Sequence, residues 1–283
     1  MPNQSMKLEQ KSPRLNQVLM VLTVVLTTAL VLENTQAQTA DTTENANKAE
    51  NANKVANPLN ERELQSRALT MLAAGEQTQA LDAANQLIQR FSDSPASMLT
   101  VADTLLRCGK PEDSLQYFDR YLEARPDALP YLWQRGIAQY FAGRHRDGVK
   151  QFEVHRRVNP NDVENAAWHF LCLARAESFE KATQLVLPAP DDPRIPMEEV
   201  LGMLKTGDTE RVATKMESVP EGSGSRSRAD FYGYFYLGLY ADAKGDSNKA
   251  LELLKKSAAD APHHYMGDVA RVYVQYLTQQ QQR

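Results

Sequence analysis

Cysteine is scarce in this chain, whose 283 residues contain only Cys108 and Cys172. A disulfide needs Cα atoms within about 7 Å. Packed helices lie about 8–10 Å apart, and the repeat frame described below separates the two cysteines by two units. Both are therefore predicted to be free thiols, with Cys172 acting as a small buried hydrophobic residue.

An excess of either charge is also lacking. The chain has 32 Lys and Arg against 36 Asp and Glu, a formal net charge of -4 at pH 7. This balance offers no strongly basic face, so nucleic acid is not expected as a partner. With 42% hydrophobic and 24% charged residues, the composition is ordinary for a folded soluble protein.

Motifs for catalysis and for metal or cofactor binding are missing as well. No Cys-x-x-Cys, His-x3-His or His-Glu-x-x-His spacing occurs, and no glycine-rich phosphate loop. The segment 222–225, Gly-Ser-Gly-Ser, lacks the preceding strand of a nucleophile elbow and is predicted to be a loop. The sequence therefore predicts no enzyme, no cofactor and no metal site. A cell-wall enzyme, the rival hypothesis, would need a nucleophile or carboxylate pair in a cleft, and no such pair is evident.

The N-terminus has the pattern of an export signal. Lys7, Lys11 and Arg14 precede an apolar run over residues 18–32, which is shorter than the roughly 20 residues that a spanning helix prefers. The pattern predicts a signal peptide over residues 1–37, cleaved after Ala37, and a periplasmic or secreted protein. The alternative is an uncleaved membrane anchor formed by residues 18–32. No cysteine stands near the end of the run, so lipid attachment is not expected.

Apolar residues are nearly absent from the segment that follows, residues 38–58. Such a segment cannot bury enough apolar surface to offset its ordering entropy, and it is predicted to be a disordered linker. A folded solenoid is predicted over residues 59–279, followed by a polar tail at 280–283.

The feature that dominates the folded part is a period of 34 residues. Gly75, Gly109, Gly143 and Gly245 stand at intervals of 34, 34 and 102 residues, and 102 is three times 34. This is the period of the tetratricopeptide (TPR) repeat, a pair of antiparallel helices that buries its apolar face by stacking on its neighbours. The fold class is predicted to be all-α, a TPR-type solenoid, with a binding scaffold as its default function.

The frame predicts about six units and a C-terminal capping helix. Units begin near Glu61, Pro95, Leu129 and Val163, and the last begins at Phe231. The fifth unit is degenerate, because the prolines between residues 188 and 196 prevent a continuous helix there. Asp191 and Asp192, in that stretch, are predicted to form a solvated turn, with cation binding as the alternative.

Positions 2, 5, 9 and 12 of each first helix are expected on the concave face of such an array. They supply an apolar and aromatic surface, predicted as the protein-binding groove, with these residues: Leu99, Asp103, Leu106, Trp133, Ile137, Tyr140 and Leu171. The alternative is that Trp133 and Tyr140 pack against the prolines or the C-terminal helix. Apolar anchors of this kind are typical of peptide-binding grooves.

The segment Leu132–Arg144, LWQRGIAQYFAGR, resembles a repeat unit of the NlpI family of periplasmic TPR lipoproteins. The similarity continues through residues 159–162 and 235–246 and covers roughly residues 62–278, including the interrupted fifth unit. It implies an all-helical homodimer that acts as an envelope adaptor, bringing a tail-specific protease to peptidoglycan hydrolases. The lipidation cysteine of that family is missing here.

The predicted function is therefore an exported scaffold or adaptor for other envelope proteins or peptides. The alternative among binding proteins is a structural subunit of an outer-membrane assembly or secretion complex.

Overall fold

The computed structural model describes residues 58–259, 261 and 263–282, and the predicted signal peptide and linker residues 38–57 lie outside this part. All regular structure in the described part is helical, as predicted. In chain order the helices are α1 (Glu61–Ala73), α2 (Gln77–Arg90), α3 (Pro95–Arg107), α4 (Pro111–Ala124), a 3-10 helix (Pro126–Tyr131), α5 (Trp133–Phe141), α6 (His145–His155), α7 (Val163–Ala176), α8 (Phe179–Gln184), α9 (Met197–Thr206), α10 (Thr209–Glu217), α11 (Gly224–Ala243), α12 (Ser247–Ala259) and α13 (Tyr265–Gln281).

The helices from α1 to α12 form six consecutive hairpins in the described residues, and α13 follows them as a single helix. The fold class, an all-α array of TPR-type hairpins, is confirmed. α1 and α3 begin at the predicted residues, Glu61 and Pro95. The degenerate fifth unit is the pair α9 and α10, and the proline-rich stretch before it contains no helix.

Two helix boundaries differ from the prediction. The third unit opens with the short 3-10 helix that contains Pro130, and α5 begins only at Trp133. Proline lacks the amide donor that a longer α-helix would require. α11 begins at Gly224 instead of Phe231, because the Ser223 hydroxyl accepts a hydrogen bond from the Arg226 amide and caps the helix.

The small residues of the repeat frame mark close approaches between helices. A Cβ atom built on Gly136 would lie 2.6 Å from Cζ of Phe152, and one on Gly238 would lie 2.8 Å from Cγ of Leu254. The periodic glycines end the first helices in the left-handed region, with φ of 74° at Gly109, where a side chain would be strained. The 34-residue period is thus explained by packing and by turn geometry.

The last helix, α13, packs across the first helices of several units. Its Tyr273 ring contacts Phe141 on α5, Trp168 on α7 and Phe235 on α11. Nearer its N-terminus, the Asp268 carboxylate lies 2.6 Å from Nη2 of Arg107 on α3, and both side chains are buried. α13 therefore covers the face on which the groove was predicted.

A buried carboxylate, Asp242, fastens α13 to the units beneath it. Its Oδ2 accepts hydrogen bonds from the hydroxyls of Tyr140 (2.5 Å) and Tyr273 (2.7 Å). Its Oδ1 accepts one from Nη2 of Arg175 (2.5 Å). Asp242 itself is fully buried, so its charge is compensated entirely by these donors. We call these four residues the Asp242 network.

Candidate functional site

Four of the seven predicted groove residues belong to the core of the described chain. The side chains of Leu106, Ile137, Tyr140 and Leu171 are at most 1% exposed. The expectation that they line an open groove is corrected, because α13 and the neighbouring helices cover them. For Tyr140, the alternative of packing against the C-terminal helix is the arrangement found, since its ring contacts Tyr273 and Tyr276.

The other three predicted residues keep partial exposure. Trp133 packs edge-on against Tyr265 of α13, with ring centroids 4.7 Å apart, and Leu99 is half-buried against the core. Asp103 is next to Arg107, with Oδ2 3.8 Å from Nη1. Burial nevertheless raises the pKa of Asp103 to about 6. Of this group, only Trp133 borders a cavity described below.

That cavity lies where the N-terminal turn of α13 meets α5, α6, α7 and α11. Its volume is about 280 Å³, and it is partly open. Its lining consists of Trp133, Phe152, His155, Asp162, Glu164, Asn165, Trp168, Tyr232, His264, Tyr265 and Met266. We call it the α13 cavity. Trp133 is the one predicted groove residue in its lining.

Aromatic rings form much of the wall of the α13 cavity. The chain contains two tryptophans, and both line it. The Tyr265 ring already receives a cation on one face, with Cζ of Arg107 5.2 Å from its centroid. Tyr232 receives Arg194 in the same way at 5.6 Å. Aromatic faces attract cations through their quadrupole, so these walls favour positive groups.

A cluster of acidic residues lies on one side of the cavity. Nη2 of Arg194 is 2.7 Å from Oδ1 of Asp162 and 2.6 Å from Oδ2 of Asp192, and its Nη1 contacts Glu164. Three carboxylates surround one guanidinium. With all three ionised, the cluster retains an excess of negative charge.

The acidic residues differ in their electrostatic environments. Burial raises the pKa of Glu164, although Arg194 opposes the shift. Burial alone would also raise the pKa of Asp192. The hydrogen bonds from Arg194 and from the Val163 amide have the larger combined effect, so the pKa of Asp192 is lowered. Oε2 of Glu164 additionally accepts a hydrogen bond from the Tyr236 hydroxyl at 2.6 Å. The cluster is therefore held in place by residues from several elements.

His155 contributes a further acceptor to the cavity. Its Nδ1 lies 2.8 Å from the carbonyl oxygen of Pro130. A carbonyl can only accept, so Nδ1 carries the proton and, in the neutral ring, Nε2 carries the lone pair. No described group bonds to Nε2, and the residue is 5% exposed. Oδ1 of Asn165, also in the lining, is a buried acceptor without a partner among the described residues.

Sequence reasoning missed most of this site, because its residues come from helices far apart in the chain. Glu164 stands at position 2 of the fourth unit, a concave position, which was the available signal. The prediction of a solvated turn is wrong for Asp192, whose side chain is 3% exposed and paired with Arg194. Asp191 beside it is exposed.

The described residues also bear on metal binding, membrane insertion and the state of the cysteines. They contain no cluster of three or more His, Cys, Asp or Glu side chains arranged to hold a metal ion. No helix in that part of the chain has the length and apolar character needed to span a membrane. Cys108 and Cys172 are both free thiols, as predicted.

Comparison with known proteins gives one family match, to the tetratricopeptide repeat, over residues 66–94. No curated protein matches this chain. Among solved structures, MamA (residues 41 to the end) from Desulfovibrio magneticus RS-1 is similar at 15% identity and a TM-score of 0.39, covering 69% of this chain and 90% of that one. A tetratricopeptide repeat protein from Parabacteroides merdae ATCC 43184 is similar at 17% identity and a TM-score of 0.48, covering 83% and 91%. The function must therefore be argued from the residues of the site itself.

Proposed function

We propose that this protein is a scaffold that binds other proteins through the α13 cavity. The proposal rests on the cavity itself, which is a partly open space of about 280 Å³ with aromatic walls. It lies on the face of the array where the first helices of the units meet. In protein interfaces a few side chains that are buried in such pockets supply most of the binding energy.

We further propose that the protein binds without catalysis. The carboxylates at the cavity are engaged, Asp162 and Asp192 with Arg194, and Glu164 with both Arg194 and Tyr236. A general base or nucleophile needs a free lone pair near a reacting atom. His155 has one, but it has no nucleophile within hydrogen-bonding distance among the described residues, which favours a binding role.

The setting that we propose is the bacterial cell envelope, with the protein exported and working as a homodimeric adaptor between a protease and peptidoglycan hydrolases. The basic N-terminal residues and the apolar run over residues 18–32 support export, and the resemblance of residues 132–144 to the NlpI family supports the adaptor role. N-terminal sequencing of the mature protein should begin near Gln38. A mature chain beginning at Met1 would instead support the anchor.

The test of the binding function is the substitution Trp133→Ala. Trp133 borders the cavity and is partly exposed, so its loss should leave the helical circular dichroism intact while weakening partner capture by about 2 kcal/mol or more. Chemical crosslinking in envelope extract, followed by pull-down, measures the capture.

The matched control is Tyr131→Ala, at the end of the 3-10 helix that precedes α5. The Tyr131 side chain is 63% exposed and does not line the cavity, so this variant should capture partners as the wild type does. Equal capture by the Trp133 variant and the wild type would exclude the α13 cavity as the binding site.

A further inference from the structure

We propose that the α13 cavity binds a lysine side chain presented by a partner polypeptide. This inference rests on the proposed binding function and adds the chemical class of the group that is recognised. It rests on three independent properties of the cavity, namely its volume, the negative charge beside it, and the hydrogen-bond acceptors and aromatic faces of its lining.

The size of the cavity suits a single side chain. Sites for drug-sized ligands occupy about 300–1,000 Å³, whereas the α13 cavity measures about 280 Å³. A single amino-acid side chain fits within that volume. The lysine side chain has an unbranched four-carbon stem that packs on apolar surface while its ammonium group seeks polar partners.

The charge beside the cavity is complementary to a cation. Asp162 and Glu164 line it, and the single guanidinium that contacts them, that of Arg194, also contacts Asp192. Because three acids face one base, an incoming ammonium group would neutralise negative charge that Arg194 alone does not neutralise. An incoming carboxylate would be repelled by these acids and would also lose its own hydration.

The lining offers acceptors and aromatic faces to the ammonium group. The Nε2 lone pair of His155 has no donor among the described residues and is fixed in that role by the hydrogen bond from Nδ1 to Pro130. An ammonium group carries three donors and no acceptor. Trp133, Trp168, Tyr232 and Tyr265 add ring faces, which attract a partly desolvated cation.

The two tryptophans make the test direct, because both line the cavity and the chain contains no other. Intrinsic tryptophan fluorescence of the full-length protein should be titrated with acetylated, amidated peptides of four alanines around one central residue. The central residue is lysine, norleucine or glutamate. Norleucine keeps the four-carbon stem without the charge, so it is the matched comparison.

We expect the lysine peptide to change the fluorescence with a Kd of about 1 mM, as befits a single anchoring side chain. The norleucine peptide should bind about tenfold more weakly, and the glutamate peptide should not bind measurably. Added salt should weaken only the lysine peptide, through screening of the acidic cluster. Equal affinity for lysine and norleucine peptides would overturn the proposal.

The substitution Asp162→Asn tests the charge. Asp162 caps α7 through a hydrogen bond from the Glu164 amide to Oδ1, and asparagine caps a helix equally well. The variant should fold and bind the lysine peptide about fivefold more weakly, because one negative charge is gone. The control is Asp113→Asn, at an exposed acid outside the cavity lining, for which no change in affinity is expected.

A second substitution, Tyr232→Leu, removes one ring face and leaves the acids in place. It should reduce the preference for lysine over norleucine about threefold or more, as expected for one cation–π contact. Unchanged lysine affinity in both folded variants would contradict the proposal. Crosslinking with Trp133→Ala decides the binding function separately, so a scaffold that captures partners but ignores lysine peptides would refute this inference alone.

Discussion

Removal of the Asp242 carboxylate is the sharpest available test of how the array is held together. The substitution Asp242→Ala removes the carboxylate that accepts from the hydroxyls of Tyr140 and Tyr273 and from Nη2 of Arg175. Nη2 then keeps only the backbone carbonyl of residue 242, and the two hydroxyls keep only each other. All lie in or beside the core, since Asp242 is fully buried.

The expected loss follows from what becomes unpaired. Removing one partner of a fully buried ionic contact costs about 3–5 kcal/mol. Because the side chain of Arg175 is 35% exposed, we expect a loss near the lower end of that range, still a large part of the roughly 5–15 kcal/mol that stabilises a typical protein. The substitution Asp242→Asn keeps the shape and one acceptor oxygen but loses the charge, so about 1.5–3 kcal/mol is expected. Tyr273→Phe removes one hydroxyl and should cost about 1 kcal/mol.

Urea unfolding followed by far-ultraviolet circular dichroism measures these free energies of unfolding. The predicted order of destabilisation is Asp242→Ala, then Asp242→Asn, then Tyr273→Phe. Glu123→Ala is the control, since Glu123 is exposed and surface changes of this kind stay within about 0.5 kcal/mol. A free energy for Asp242→Ala that equals the control would show that the network contributes nothing and would refute the reasoning.

Two other predictions concern the core. Gly136→Ala should destabilise by about 1–3 kcal/mol, because the new Cβ would lie 2.6 Å from Phe152; a melting temperature equal to that of the wild type would contradict the close packing there. Burial lowers the pKa of His169 to about 4, below its unfolded value of about 6.5, although the exposed Glu153 carboxylate lies 3.8 Å away. The neutral ring is therefore favoured by folding, so stability is fully present above about pH 6.5 and falls by about 3 kcal/mol as the pH drops towards 4. Urea unfolding should therefore be measured for the wild type and for His169→Leu across this pH range, and the difference between their free energies of unfolding isolates the effect of His169. A difference that does not change with pH would contradict the prediction.

The sequence was sufficient to predict the repeat architecture because each unit is encoded locally. The glycine that ends a first helix and the small residue at a helix contact recur within 34 residues. Steric contacts require both kinds of residue. A Cβ atom on Gly136, for example, would lie too close to the ring of Phe152. The hairpins could therefore be placed before the structure was known, and the departures arose where local chemistry intervened, at Pro130 and at the Ser223 cap.

The site was less predictable because it depends on where α13 lies. The repeat frame predicts Ile137 and Tyr140 on the concave face, yet both are buried, and the Tyr140 hydroxyl meets that of Tyr273, more than a hundred positions later in the chain. The role of Arg194 was equally hidden, because it stands in a proline-rich stretch without periodicity and meets Asp162 only through the fold. Long-range packing of this kind leaves no spacing signal in a single sequence.

The position of α13 changes the cooperativity expected of the protein. In an open array each unit touches only its neighbours, and the ends can unfold alone. Here one helix contacts α3, α5, α7 and α11, so the second, third, fourth and sixth units should open together. The first unit lies outside the main core, in a small cluster where its Leu64 and Leu87 pack with Val101 and Leu105 of α3, and it is the part left to fray. Amide hydrogen exchange should then show α1 and α2 exchanging early, and the second, third, fourth and sixth units exchanging together with α13 at one common, slower rate.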